Sequence, residues 1–304
     1  MRSQVSVLLA TYNGAEFLPE QLRSIESQTL PVARVTVRDD GSTDNTLSVL
    51  QEWAAGRAEA HLLRGPRLGV ARNFFALLSS PDKDSDFFAF SDQDDVWLPE
   101  KVEAGVGCLR RCNGRVPLMY CSRLEYVDEE LKHLGYSRIP RRLDFANALV
   151  ENVATGCTVL LNRRARDMIV ERLPERAFVH DWWCYLVVSA FGRVIYDSRP
   201  QVKYRQHGGN AIGGTSSVPR MVWRRLSRFI GADAGARLLS DQALDFQRCF
   251  GGSLPPREKR ILERFLGVRG GLRSRVAYNA AMDVGRQSWI DTAILRTLIL
   301  MGRV

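Results

Sequence analysis

The N-terminal third of the chain alternates short apolar runs with amphipathic segments, and no other feature constrains the fold as strongly. The runs VSVLLATYN, RVTVR, HLLRG and DFFAF have the length and the β-branched or aromatic content of buried strands. After the first run, Leu18, Leu22 and Ile25 recur at helical spacing. Strands that alternate with helices through short loops predict a mostly parallel sheet with helices on both faces.

Three of these predicted strands end in a polar cluster, namely TYNG, DDGSTD and SDQDD. In open parallel sheets ligands bind beyond the carboxyl ends of the strands, which favours a binding site at this edge. Turn formation is the alternative for the first two clusters, because Asn, Asp, Ser and Gly favour turns and helix starts without any ligand.

The third cluster gathers Asp92, Asp94 and Asp95 in a chain with a net charge of +9. These acids either hold a cation or cap the helix predicted to begin at PEK, residues 99–101. A single cap needs one acid rather than three, and the position at a strand end favours the cation.

Composition narrows the class of protein. The chain has 304 residues, 45% hydrophobic and 25% charged, which is typical of a globular protein with a sizeable core. The excess of basic residues indicates anionic partners such as phosphates, nucleic acid or acidic lipids. The apolar segments are too short for a signal peptide or a membrane span, and the six cysteines form no CxxC pair. We therefore expect reduced thiols and a cytoplasmic protein.

The pattern changes in the second half of the chain. MYCSRLEYV and TGCTVLLN are predicted strands, HDWWCYLVVSAFG is a predicted buried helix, and RVIYDS and KYRQH are predicted as two further short strands. The Gly-rich stretch HGGNAIGGTSS, residues 207–217, marks a boundary. Basic helices follow it, one of them predicted over PREKRILERFLGVRGGLRSRVAYNAAM. We expect one domain at 1–217 and a helical region at 218–304.

The segment VPRMVWRRLSRFIG, residues 218–231, is amphipathic and basic. Its apolar residues fall near one helix face and its arginines crowd the rest: Val222, Leu226, Phe229, Ile230, Arg220, Arg224, Arg225 and Arg228. Such a helix either lies in an anionic membrane surface or packs on the N-terminal domain with solvated arginines.

Six stretches, in this order, carry a resemblance: VSVLLATYNG, VRDDGSTDNT, LGVARN, SDQDDVWLP, TGCTVLLN and HDWW. The chain resembles inverting nucleotide-sugar glycosyltransferases of family 2, which have the GT-A fold. The matching stretches and their connections span residues 5 to about 210. The resemblance implies an α/β fold with a mostly parallel, Rossmann-like sheet between helices, here followed by a basic helical C-terminal extension.

The resemblance also implies roles for individual residues. Asp94, the second acid of D-x-D, binds Mg²⁺ or Mn²⁺ on the donor's diphosphate, and Asp92 helps to hold the ribose. Asp40 meets the donor base, and Asp95 is either part of the acid site or the cap of the next helix. The nucleoside pocket is lined by Thr11, Tyr12 and Asn13.

Two basic residues have competing interpretations. Arg72, in GVARN, contacts phosphate or Asp92, or it is a solvated helix arginine. His207, in KYRQH, is a further metal ligand by the resemblance, or it is a bystander like most lone histidines.

Asp181, in HDWW, matches the catalytic base, which takes the proton from the acceptor hydroxyl as that oxygen attacks the anomeric carbon. Because Asp181 lies where a helix begins, we expect the helix dipole to favour its carboxylate and to make it a weaker base. The alternative is that Asp181 is only a helix N-cap.

The motifs SDQDDVW, HDWW and YRQHGGN are similar to those of bacterial rhamnosyltransferases. These enzymes use dTDP-L-rhamnose to build surface polysaccharide or lipopolysaccharide, in the core or the O-antigen. The resemblance implies a nucleotide-sugar donor and a glycan or lipid-linked glycan acceptor. If residues 218–231 lie in the membrane surface, the enzyme would meet a lipid-linked acceptor by peripheral contact with the inner face of the cytoplasmic membrane.

Rival functions are a sugar-phosphate nucleotidyltransferase and a non-catalytic nucleotide-binding module. The first needs a basic, Gly-rich phosphate loop near the N-terminus, where this chain has TYNGAEF and, from there on, no Lys or Arg until Arg23. The second does not require Asp181. Nucleic-acid binding is not expected, because the Arg-rich helices lack interleaved aromatic residues that could form a stacking platform.

Overall fold

Residues 3–176, 178–207 and 237–304 are described in a computed structural model. The described residues within 1–139, 152–173 and 177–205 form one unit, and those within 140–151, 174–176 and 206–304 form the other. The predicted boundary at 217/218 and the amphipathic segment 218–231 lie outside the described residues, and both stay predictions.

The N-terminal part of the first unit follows the predicted alternation. Its elements are β1 (Val5–Thr11), α1 (Leu18–Glu26), β2 (Arg34–Asp39), α2 (Thr46–Ala54), β3 (Ala60–Arg64), α3 (Val70–Leu78) and β4 (Phe87–Ser91). Strand β1 pairs in parallel with β2 and β4, and β2 pairs in parallel with β3. The prediction of a parallel sheet is confirmed, and the three polar clusters follow β1, β2 and β4.

The remaining elements up to residue 205 are β5 (Val96–Trp97), α4 (Lys101–Arg110), β6 (Leu118–Val127), β7 (His133–Tyr136), α5 (Phe145–Ala148), β8 (Leu160–Asn162), α6 (Arg163–Glu171), α7 (His180–Phe191) and β9 (Arg193–Arg205). The sheet order is β3-β2-β1-β4-β8-β6-β9-β5, with β7 paired to β6. Strand β8 is antiparallel to β4 and β6, so the sheet is mixed on this side.

Two predicted strands, RVIYDS and KYRQH, proved to be one continuous strand, β9. Its pairing with β6 shifts register where Arg123 meets Pro200. A register irregularity accommodates proline, which cannot donate a ladder hydrogen bond. The proline therefore distorts the strand without ending it.

Helix packing buries the apolar stripe that the sequence predicted. Leu18, Leu22 and Ile25 of α1 share a core with Val5 and Val7 of β1 and are at most 2% exposed. Each such side chain contributes about 1.5–3 kcal/mol on burial, so this packing rather than local propensity holds α1 against the sheet.

The interpretation of the acids as helix caps is wrong. Helix α4 has Glu100 at its N-cap, without a side-chain cap hydrogen bond. Strand β5 lies between Asp95 and that helix. The acids of SDQDD therefore do not serve the start of α4.

In its described part, the second unit contains α5 and the C-terminal α-helices α8 (Leu238–Phe250), α9 (Pro256–Leu266), α10 (Leu272–Ala280) and α11 (Trp289–Leu300). The single helix predicted over PREKRILERFLGVRGGLRSRVAYNAAM is divided at Gly270 and Gly271 into α9 and α10. The segment 140–151, which the sequence assigned to the N-terminal domain, packs with these helices. Asn147 donates to the Gly285 carbonyl at 2.9 Å, and the Phe145 and Phe246 rings lie 5.3 Å apart.

Across residues 3–176, 178–207 and 237–304, no helix combines the length and the apolar character that crossing a bilayer requires. All six cysteines fall within these ranges and carry free thiols, as predicted.

Candidate active site

The loops after β1 and β2 are tied together by buried polar groups. Thr11 is 1% exposed and donates its hydroxyl to Asp39 at 3.1 Å. Asp39 also accepts the backbone N–H groups of Gly41 and Ser42 at 3.1 and 2.8 Å. Thr11 thus fixes the first acid of DDGSTD, and its predicted part in lining the nucleoside pocket stays a prediction.

Asn13 joins the same two loops from the solvent side. Its φ of 48° is left-handed, a conformation that Asn tolerates better than most residues. Its side-chain oxygen accepts the Thr43 N–H at 2.8 Å, and its own N–H donates to the Ser42 hydroxyl at 2.8 Å. Asn13 is therefore the turn residue that the TYNG pattern predicted, and a contact with a nucleoside stays a prediction.

Tyr12 is half-buried beside a basic residue. The Arg67 guanidinium lies over the Tyr12 ring, 4.3 Å from its centroid. This cation–π contact orients the ring and places a positive charge beside the predicted nucleoside pocket.

Asp40 is 4% exposed, and its carboxylate is engaged on both oxygens. It pairs with Arg38 at 2.8 Å and accepts the N–H groups of Leu68 and Gly69 at 2.7 and 2.8 Å. Asp40 thereby anchors the loop before α3, which carries Arg67. Its predicted contact with the donor base stays a prediction, as does the phosphate contact of Arg72, which is exposed on α3.

The D-x-D acids crowd together at the end of β4. Burial, then the charges of Asp94 and Asp181, raise the pKa of Asp92 to about 8. Burial, followed by the neighbouring Asp94 and Asp92, also raises the pKa of Asp95 well above its ordinary value. Ligand atoms of Asp92, Asp95 and Cys157 all lie within 4.8 Å of one another. Acids from the end of β4 and from the start of α7 are thus brought into electrostatic contact.

This donor set fits a divalent cation. Carboxylates that destabilise one another at close range gain from a positive charge between them, and hard oxygen ligands suit Mg²⁺ and Mn²⁺. Asp95 Oδ2 is buried without a hydrogen-bond partner among the described residues. Cys157 is poorly suited to such a cation, because its sulfur is soft and burial raises the pKa of its thiol. The oxygens of the acid cluster are the fitting ligands.

Asp181 lies in the first turn of α7, and Val179 is the N-cap, so the interpretation of Asp181 as an N-cap is wrong. Its carboxylate accepts the Gly156 N–H at 2.9 Å and the Asn152 amide at 3.0 Å. Burial raises the pKa of Asp181 to about 7, although these donors and the Trp182 N–H oppose the shift. The expectation of a weaker base is therefore wrong, because removal of water outweighs the helix terminus.

Gly156, whose backbone N–H donates to Asp181, lies in close contact with the His180 ring. The His180 ring stacks on Phe74 with centroids 3.8 Å apart, and burial lowers the pKa of His180 to about 3. A Cβ on Gly156 would lie 2.7 Å from His180 Nε2 and 3.7 Å from Asp181 Oδ2. Only glycine lets this backbone approach the neutral imidazole and donate to Asp181.

Comparisons with known proteins identify the family of the chain. The family model of glycosyl transferase family 2 matches residues 6–165, more than half of the chain. The chain belongs to glycosyltransferase family 2. This glycosyltransferase is 28% identical over 231 residues to the dTDP-rhamnosyl transferase RfbG of Shigella flexneri, which covers 72% of this chain and 78% of that protein.

Solved structures confirm the GT-A fold of the glycosyltransferase. A crystal structure of S. aureus TarS 1-349 in complex with UDP-GlcNAc superposes with a TM-score of 0.58 at 15% identity, covering 99% of this chain and 87% of that one. The mannosyltransferase PcManGT from Pyrobaculum calidifontis, in complex with GDP-Man and Mn²⁺, gives a TM-score of 0.54 at 21% identity, covering 100% and 81%.

Sequence reasoning missed two basic residues that shape the site of the glycosyltransferase. Arg205, 2% exposed, donates through Nε to the Asp94 carbonyl at 3.0 Å and pairs with Glu20 at 2.5 Å. Lys101 is buried with its ammonium 3.5 Å from the Trp97 ring centroid, and burial lowers the pKa of that ammonium to about 7. Both appear in the sequence as ordinary basic residues, and only their burial distinguishes them.

His207 belongs to the second unit. Its role as a metal ligand stays a prediction. Among the predicted site residues, Asp92 is brought into electrostatic contact with Asp94 and Asp181.

Proposed function

We propose that this glycosyltransferase moves L-rhamnose from dTDP-L-rhamnose to a hydroxyl of a growing surface glycan, with inversion at the anomeric carbon. The observation that carries the proposal is the meeting of a buried carboxylate, Asp181, with the D-x-D acids that follow β4. The identity to the dTDP-rhamnosyl transferase RfbG supports the choice of donor.

Asp181 is the proposed base. Its carboxylate accepts the proton of the acceptor hydroxyl while that oxygen attacks the anomeric carbon from the face opposite the leaving diphosphate. With a pKa of about 7, Asp181 is a stronger base than a solvated aspartate and is still ionised to a large extent at neutral pH. A single displacement has no covalent intermediate, and inversion follows.

The acids and the loops hold the donor. Asp94, with Asp92 beside it and His207 as a further proposed ligand, would hold Mg²⁺ or Mn²⁺, which when bound neutralises charge on the departing diphosphate. Tyr12, with Thr11 and Asn13, is proposed to bind the nucleoside. Asp40 is proposed to meet the base and Arg72 a phosphate.

The proposed acceptor is a lipopolysaccharide core or O-antigen chain, or a related lipid-linked glycan. We propose that the protein works in the cytoplasm at the inner face of the membrane, where such acceptors are assembled. The basic, amphipathic pattern of residues 218–231 supports peripheral contact with anionic lipids.

Release of dTDP from dTDP-L-rhamnose tests the proposal, measured with Mn²⁺, with Mg²⁺ and with EDTA, and with UDP-glucose as a competing donor. We expect metal-dependent release from the rhamnose donor, and a loss of roughly 100-fold or more in turnover for Asp181→Asn with donor binding retained. Release from UDP-glucose alone would overturn the rhamnose assignment. Unimpaired turnover by Asp181→Asn would remove Asp181 as the base.

A further inference from the structure

Gln93, the central residue of D-x-D, reaches across to the loop after β1. Its side-chain oxygen accepts the Tyr12 N–H at 2.8 Å, and its side-chain nitrogen donates to the Tyr12 carbonyl at 3.0 Å. One amide thus pairs with both backbone groups of one residue, as a neighbouring strand would. Such a pair restricts both the distance and the orientation of Tyr12.

Gly14 provides an independent observation of the same contact. A Cβ at Gly14 would lie 2.2 Å from Gln93 Cδ and Oε1 and 2.7 Å from Nε2, and these are its three nearest atoms. Gly14 is not among the glycines with left-handed φ. Glycine is therefore needed at this position to make room for the Gln93 amide, and not to relieve backbone strain.

The two loops joined by Gln93 have different proposed tasks. Tyr12 belongs to the proposed nucleoside site, and Asp92 and Asp94 flank Gln93 in the acid cluster. A donor nucleotide has to contact both, since its base and its diphosphate belong to one molecule. The separation of the two loops must therefore match the length of that molecule.

We propose that Gln93 is a positioning residue that locks the Tyr12 loop to the D-x-D loop and so presets the site for the nucleotide. This inference rests on the proposed function, because it assumes that the site binds a nucleoside diphosphate. It adds a residue that acts through Tyr12 rather than by touching the reacting atoms.

The test is the dissociation constant of dTDP at saturating Mn²⁺, measured by calorimetry on the full chain. In Gln93→Ala the two neutral hydrogen bonds no longer hold the Tyr12 loop in its binding position, so the nucleotide has to order that loop when it binds. The strength of two such bonds predicts binding roughly 10- to 100-fold weaker. Gln93→Met, which keeps the length of the side chain without its polar atoms, should show a similar loss and keeps the test valid if the alanine variant unfolds.

A double-mutant cycle with Gly14 gives the sharper result. Gly14→Ala should weaken dTDP binding in the wild-type background, because its Cβ displaces the Gln93 amide. In the Gln93→Ala background the same change should have little further effect, since the displaced group is already gone. Equal losses from Gly14→Ala in both backgrounds would overturn the proposed lock.

Gln28 offers a matched control. It is 5% exposed and also bridges backbone groups, donating to the Leu98 carbonyl at 2.9 Å and accepting the Val102 N–H at 3.0 Å, but it does not touch the Tyr12 loop. Gln28→Ala should lower the melting temperature and leave dTDP affinity unchanged. The same pattern in Gln93→Ala or Gln93→Met would show a structural role only and would overturn the inference.

Failure of the proposed function and failure of the inference about Gln93 would give different binding results. If the wild-type chain binds neither dTDP nor UDP in the presence of Mn²⁺, the proposed function fails and the inference fails with it. If the wild-type chain binds dTDP and both Gln93 variants bind it within two-fold of wild type, only the inference fails.

Discussion

The hydrogen bond from Asn152 to Asp181 offers a direct test of how the proposed base is tuned. The Asn152 amide donates to Asp181 Oδ1 at 3.0 Å, and this bond lowers the pKa of Asp181 against the larger, opposite effect of burial. Asn152→Ala removes the donor while Asp181 stays buried. We therefore expect the pKa of Asp181 to rise above its value of about 7.

The size of this shift follows from the strength of a hydrogen bond to a charged acceptor. Such a bond is worth about 1.5–3 kcal/mol, and about 1.4 kcal/mol corresponds to one pKa unit. Relaxation and water entry offset part of the loss, so we expect a rise of about one unit. Asp181 acts as a carboxylate, so kcat/KM should decrease as the pH drops below the pKa of Asp181. In the variant this decrease should begin at a higher pH.

The assay is the pH profile of kcat/KM from pH 5.5 to 9 at saturating Mn²⁺, so that any metal contribution is common to both proteins. At pH 6 the variant should be about 10-fold slower than wild type, and at pH 9 the two should be nearly equal.

Thr158→Val is the control for this assay, because it removes a hydrogen bond to the Thr155 carbonyl in the same segment without contacting Asp181. Its profile should not move. An unshifted profile in Asn152→Ala, or an equal shift in Thr158→Val, would refute the argument.

Three further predictions concern the acids, the buried histidine and the basic segment. Asp94→Ala should abolish turnover and remove the metal dependence of dTDP binding while the melting temperature stays near wild type; turnover at wild-type rate in excess EDTA would contradict the cation site. The pKa of His180 is lowered from 6.5 to about 3, so the unfolded chain binds this proton more readily and the free energy of unfolding should fall below pH 6.5, by at most about 1.4 kcal/mol per pH unit. Urea unfolding at pH 8 and pH 5 should show that His180→Leu loses this acid-dependent difference, and a difference that persists would assign it to other groups. The full chain should sediment with anionic liposomes at low salt and be released as salt rises, and Arg224→Glu with Arg228→Glu should weaken that binding. Equal binding to neutral liposomes would count against the membrane contact.

The sequence by itself determined the sheet and the edge that carries the site. Apolar runs of strand length, separated by segments of helical periodicity, can bury their side chains only in a sheet covered by helices. These signals are local, so β1 to β4 and the helices between them were predictable. The polar clusters then had to meet at one edge, because the carboxyl ends of parallel strands do.

Local sequence patterns gave the wrong number of elements at two places, in β9 and at Gly270–Gly271. RVIYDS and KYRQH were predicted as two short strands but form one strand, β9, because the sequence does not show whether a neighbouring strand tolerates a register shift at Pro200. The Gly270–Gly271 pair, in contrast, divides a segment that was predicted as one helix. The prediction missed this break because helical periodicity continues on either side of the two glycines.

Only the tertiary structure decided the chemistry of the site. Asp181 lies at a helix start, from which a depressed pKa was expected, yet burial among residues far apart in sequence raises that pKa. Gln93 and Arg205 acquire their partners, Tyr12 and Asp94, from segments 81 and 111 residues away. The strength of a base and the fit of an amide depend on which groups exclude water from them, and folding brings those groups together from distant parts of the chain.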